Sequence, residues 1–112
     1  MTFRDRTEAG RALGDALAPV LAPPFVVGAI PRGGVTVALP LVERCRAPLA
    51  LVYAGKLTAP AAREFEGAAD RFVSLVVDPE FRAVGQYYLD FSPVPDDEVR
   101  AMLARAATLA AA

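Results

Sequence analysis

Residues 29–38 read Ala-Ile-Pro-Arg-Gly-Gly-Val-Thr-Val-Ala: an apolar run stops at Pro31 and a run with helical spacing begins directly after Gly34. Working outward, Phe25 to Ile30 is short, partly β-branched and bounded by prolines and glycines, which predicts a strand buried on both faces. Downstream, Val35, Ala38, Leu39, Val42 and Cys45 recur at helical spacing, which predicts a helix over 35–45. Pro40 lies past the first turn of that run, so a kink or a late helix start is expected.

The flanking segments repeat the alternation. Ala9, Ala12, Leu13, Ala16, Leu17 and Val20 form one face of a predicted helix over Thr7 to Val20, with Glu8, Arg11 and Asp15 on the other and Pro19, Pro23 and Pro24 ending it. Pro48 to Ala54 and Phe72 to Val77 predict a second and a third strand, with a short helix between them over Pro60 to Asp70. An aromatic-rich connection follows, then a final helix capped by Asp96 or Asp97 with Val99, Met102, Leu103 and Ala106 on one face. Strands alternating with helices imply an α/β fold: a small open parallel sheet of about three strands with flanking helices, joined by right-handed crossovers. A chain of 112 residues is expected to form one domain spanning residues 1–112, with any site built from the core elements themselves.

Composition excludes several functions. With 12 basic and 13 acidic residues there is no broad basic footprint for nucleic acid or an anionic membrane, so anion binding must be local. The absence of histidine removes the commonest general base and zinc ligand, and one cysteine, Cys45, cannot form an internal disulfide. No apolar run reaches the ~18 residues of a membrane span, and the charged amino terminus does not resemble a secretory signal, so a cytoplasmic location is expected. Eleven of the 12 basic residues are arginine, which together with the many alanines fits a GC-rich coding bias. Lys56 is the exception.

In an open parallel sheet ligands bind beyond the carboxyl ends of the strands, where the turn after Ile30 lies. Gly33 and Gly34 can take positive φ and let a ligand approach the backbone; amides at the helix start point toward an anion, and Arg32 can add a bidentate phosphate contact. The plainer alternative is a tight strand-to-helix turn with Arg32 in solvent. Neither the Walker A spacing nor the dinucleotide-binding fingerprint is present.

Three stretches, FRDRTEAGRAL (3–13), GAIPRGGVTVA (28–38) and RAPLALVYAGKLTAP (46–60), resemble the amino-terminal half of a group of phosphoribosyltransferases of the type I fold, and 81–103 resembles the tail of the same group. The resemblance covers most of the chain. It implies that Pro31, Arg32, Gly33 and Gly34 contact the pyrophosphate of phosphoribosyl pyrophosphate (PRPP), with Mg2+ present only if PRPP is bound. The family's PRPP signature, two adjacent acids followed by a Thr/Gly-rich loop, has no counterpart. In SLVVDPEFRAVGQ, Asp78 could stand for the first acid, but Pro79 replaces the second, Arg82 and Ala83 occupy the loop, and Gly85 is out of register. The resemblance therefore implies a shortened member whose central segment is missing around Leu57 to Glu64.

Lys56, after the second strand on the same sheet edge as Arg32, is a candidate second phosphate contact, with a solvated lysine as the alternative. Glu64 and Glu66, at i and i+2, cannot face one another as a carboxylate dyad. Asp96, Asp97 and Glu98 suit the first turn of a helix better than a metal site. Phe81, Tyr87, Tyr88 and Phe91 are expected to pack rather than hold a base, and Cys45 to be an inert core thiol. The expected ligand is PRPP, pyrophosphate or a nucleotide, bound without full catalytic activity. An active phosphoribosyltransferase and a purely structural or assembly protein are the alternatives. Loss of a flanking strand would leave an apolar edge, from which a homodimer burying the aromatic tail is expected.

Overall fold

A computed structural model describes residues 2–52, 75, 79–80 and 82–111. The predicted helix over 60–70, the third strand over 72–77, the proposed join at 57–64, Lys56, Glu64, Glu66, Asp78 and Phe81 lie outside the described residues. Within them the order is α1 (Arg6–Leu17), β1 (Val27–Ala29), α2 (Gly33–Cys45), β2 (Leu49–Leu51) and α3 (Asp96–Ala111). The two strands pair in parallel, with Val27 opposite Leu49, Gly28 opposite Ala50 and Ala29 opposite Leu51. Helix α2 connects them, so the chain holds a β-α-β unit of a small parallel α/β fold.

α1 starts where its sequence supplies a cap. The Asp5 carboxylate accepts from the Glu8 N–H at 2.9 Å, and the Glu8 carboxylate accepts from the Arg4 N–H at 3.3 Å, satisfying two backbone donors at the helix entry. The helix stops at Leu17 and gives way to a 3-10 turn over Ala18–Val20 that holds Pro19. Its buried residues are Ala9, Gly10 and Gly14, whereas Val20 is 40% exposed. The face set against α2 is thus rotated from the one marked by large apolar residues. Gly10 has the Val37 carbonyl oxygen and the Pro40 ring so close that a side chain there would overlap both. The seam is chosen by small residues that let two backbones approach.

α2 begins at Gly33, two residues ahead of the predicted start, and runs through Pro40 to Cys45. The late start therefore does not occur. Its buried side chains are Val35, Ala38, Leu41 and Val42, with Leu41 taking the place expected for Leu39. The helix ends at Arg46, a left-handed residue at φ 57° whose N–H donates to the Val42 carbonyl at 2.8 Å.

The described strands are shorter than predicted and one-sided. Val27 and Ala29 are buried, but Val26 is 63% and Ile30 43% exposed, so β1 alternates instead of being covered on both faces. The core joins Val27, Ala29, Val35, Ala38, Leu41, Val42 and Ala47 to Val94, Val99 and Ala106. The last two place α3 against α2 on the face read from its sequence, with Met102 and Leu103 packed beside them. Pro95, not an aspartate, supplies the backbone carbonyl that accepts from the Val99 N–H at 3.1 Å, so Asp96, Asp97 and Glu98 lie inside the first turn.

The connection ahead of α3 is tied to the amino terminus. Phe3 N–H donates to the Tyr87 carbonyl, Leu89 N–H to the Phe3 carbonyl and Asp90 N–H to the Arg4 carbonyl, each at 2.8 Å. The Phe3 and Tyr88 rings lie 5.8 Å apart, and Tyr88 stacks on Phe91 at 5.0 Å. Among the described residues, no helix is long and apolar enough to cross a membrane.

Candidate functional site

The chain after Ala29 leaves the carboxyl end of β1 and enters α2 within three residues, Ile30, Pro31 and Arg32. Arg32 is the residue immediately before the helix and makes no side-chain cap. The Pro31–Arg32 peptide is cis. The Gly34 N–H donates to the Ile30 carbonyl at 2.9 Å and the Val35 N–H to the Arg32 carbonyl at 3.2 Å. Two of the amides expected to face a ligand are therefore used by the turn itself. The Gly33 N–H, first in the helix and without an intrahelical acceptor, has no acceptor among the described residues.

The glycines differ in why they are there. Among the described residues no glycine has a positive φ, so the left-handed conformation anticipated for Gly33 and Gly34 does not occur. Gly33 is needed for space: a Cβ would lie 2.6 Å from Arg6 Nε and 3.3 Å from Arg6 Cδ and Cζ. At Gly34 the same atom would make ordinary contact, 3.7 Å from the Ile30 Cβ.

Arg6 is thus part of the turn, although it stands at the start of α1 and the sequence reading passed over it as a site residue. Its guanidinium lies 3.9 Å from the centre of the Phe91 ring, and Nη1 donates to the Ser92 carbonyl at 2.6 Å. The aromatic face and the guanidinium attract one another, on the order of 0.5–1 kcal/mol where such a pair is solvent-accessible. The only trace of this in the sequence is that Arg6 belongs to the same quoted stretch, FRDRTEAG, as the Asp5 cap, which fixes its position at the helix start.

Arg32 points to the opposite end of the same tail segment. Its Nη1 lies 3.6 Å from the Asp96 carboxylate, with the two side chains 61% and 71% exposed. α2 has no acid in its own first turn, so the counter-charge at this helix start comes from α3. Close by, hydrogen bonds from the Ser92 hydroxyl and N–H hold the Asp90 carboxyl below the usual carboxylate range, with a smaller contribution from Arg6. Burial raises the Tyr88 phenol, and Arg6 partly opposes that.

The structure therefore brings Pro31, Arg32, Gly33 and Gly34 together at the predicted sheet edge and adds Arg6; Lys56 lies outside the described residues. The aromatic side chains Tyr88 and Phe91 stack on each other and on Phe3 and Arg6. Gly85, too far along for a phosphate loop, lies under Phe91, whose Cδ2 would be 3.1 Å from a Cβ there. A cavity of about 430 Å³ opens at the other end of the strands, among Pro23, Pro24, Phe25, Arg46 and Pro48, and half-buried Cys45 lines it. The thiol is less deeply placed than its sequence context predicted.

No family model matches this chain, and no curated protein matches it. Among solved structures, the crystal structure of TT1426 from Thermus thermophilus is similar, with a TM-score of 0.78 over 94% of this chain and 99% of that one at 23% identity. That likeness establishes the small parallel α/β fold.

Proposed function

We propose that this chain is a shortened relative of the type I phosphoribosyltransferases that binds the phosphate or pyrophosphate group of a small molecule at Pro31–Gly34, without full turnover of PRPP. The observation that carries the reading is the position of the turn: it follows a parallel strand at its carboxyl end, opens a helix of 13 residues with no acid in its first turn, and is flanked by Arg32 and Arg6. Arginine suits the task because its planar fork of donors matches two phosphate oxygens at once. The free Gly33 N–H adds a single backbone donor. Mg2+ would enter only with PRPP.

Binding to the folded state alone must raise the melting temperature. Millimolar pyrophosphate is expected to stabilise the parent chain in a thermal-shift assay, and Arg32→Ala to remove most of that shift. No shift in the parent, or an equal shift in the variant, returns the turn to a simple strand-to-helix connection. In the same preparation, PRPP, Mg2+ and a panel of bases should release no pyrophosphate above buffer, because no second acid or Thr-rich loop accompanies Asp78. Release that disappears in Arg32→Ala would make the chain an active transferase.

We also propose a two-fold homodimer. Phe3 and Arg6 already cover part of the aromatic tail, so the surface left for a second copy centres on Leu89, 78% exposed, and Phe91, 40% exposed. Sedimentation equilibrium at micromolar concentration should give twice the 11.8 kDa chain mass. A monomer there ends this part of the proposal.

A further inference from the structure

Both arginines beside Gly33 are engaged by one short segment of the tail. Arg6 holds its beginning, through the Phe91 ring at 3.9 Å and the Ser92 carbonyl at 2.6 Å, and Arg32 holds its end, through Asp96 at 3.6 Å. The segment is therefore laid along the turn, and the carboxylate it delivers meets the same guanidinium that would meet a phosphate. We propose that Asp96 is an internal competitor for the anion site, resting on Arg32 until a more highly charged ligand displaces it. This rests on the anion-binding reading of the turn.

The competitor is weak by construction. At 61% and 71% exposure, water screens the pair, and exposed ion pairs of this kind contribute little to stability. A ligand bearing several negative charges, able to engage the guanidinium fork with two oxygens, displaces a single carboxylate at that distance. Asp96 thus tunes affinity without closing the site. Asp97 and Glu98 share its helical turn, but neither forms an ion pair with Arg32 among the described residues.

The test is calorimetric titration of pyrophosphate, at one fixed low ionic strength, into the parent and into Asp96→Asn, Asp97→Asn and Arg32→Ala, with circular dichroism verifying the fold of each. Asp96→Asn is expected to bind about three- to fivefold tighter than the parent, the range that releasing an exposed ion pair allows. Asp97→Asn removes the same charge one residue away and should stay within about twofold of the parent. Arg32→Ala should bind weakest. A parent that binds while Asp96→Asn binds no tighter overturns the competitor and leaves the anion site standing. Equal tightening in Asp96→Asn and Asp97→Asn overturns it too, by showing only a general charge effect. Absence of binding in the parent and in Asp96→Asn alike overturns both the competitor and the reading of the turn.

Discussion

Gly10→Ala is expected to destabilise the protein by about 2–3 kcal/mol, while Gly14→Ala, one turn further along α1, is expected to stabilise it by up to about 1 kcal/mol. Both glycines are buried in the same helix, and both substitutions carry the same gain in helix propensity. They differ in what the added methyl meets. At Gly10 it would overlap the Val37 carbonyl oxygen and sit 3.0 Å from the Pro40 Cγ, neither of which can rotate away, so α1 and α2 must separate. At Gly14 the nearest atoms are the Leu41 Cα and Cδ1, both at 4.0 Å, an ordinary contact. Chemical denaturation of the two variants beside the parent reads the difference. Equal effects of either sign would mean that the helices are not in the close register described.

The same pair shows why the sequence indicated the helix but not its buried face. Periodicity is read from large apolar residues, and these named Ala9, Ala12, Leu13, Ala16, Leu17 and Val20. A seam made by close backbone approach is instead lined by residues with no side chain to count, Gly10 and Gly14. Helix α3 was legible because its contact is of the ordinary kind, with Val99 and Ala106 buried and Met102 and Leu103 beside them. The strand-to-helix turn was likewise legible from Pro31 to Gly34, since proline and glycine punctuate locally. Gly33 itself was singled out for the wrong reason: its φ is not positive, and its lack of a side chain accommodates Arg6. Arg6 and Asp96 reach the turn only through the fold, one from the start of α1 and the other from the start of α3. No local pattern records such a meeting, and a count of charges treats both as solvated.

Phe3→Ala should cost about 3 kcal/mol, at the lower end of what truncating a buried aromatic ring usually removes. The ring is 8% exposed, the most buried aromatic side chain described, and it is packed against Tyr88. Its backbone also anchors the tail, accepting from the Leu89 N–H and donating to the Tyr87 carbonyl. These bonds survive the substitution in principle, but without the ring little else holds this stretch against the body, since Tyr87, Tyr88 and Leu89 are at best half-buried. The loss should therefore appear first as local opening, with amide exchange accelerating at Leu89 and Asp90 while the α1–α2 amides keep their protection. The consequence reaches the turn. The strip that Phe3 pins runs directly into Phe91, Ser92 and Asp96, so loosening it weakens the grip of Arg6 on Phe91 and of Asp96 on Arg32. Pyrophosphate should then bind Phe3→Ala at least as tightly as the parent at a temperature where both are folded. A variant that loses less than about 1 kcal/mol, or keeps Leu89 and Asp90 protected, would show that the amino-terminal strip is not what fastens the tail to the site.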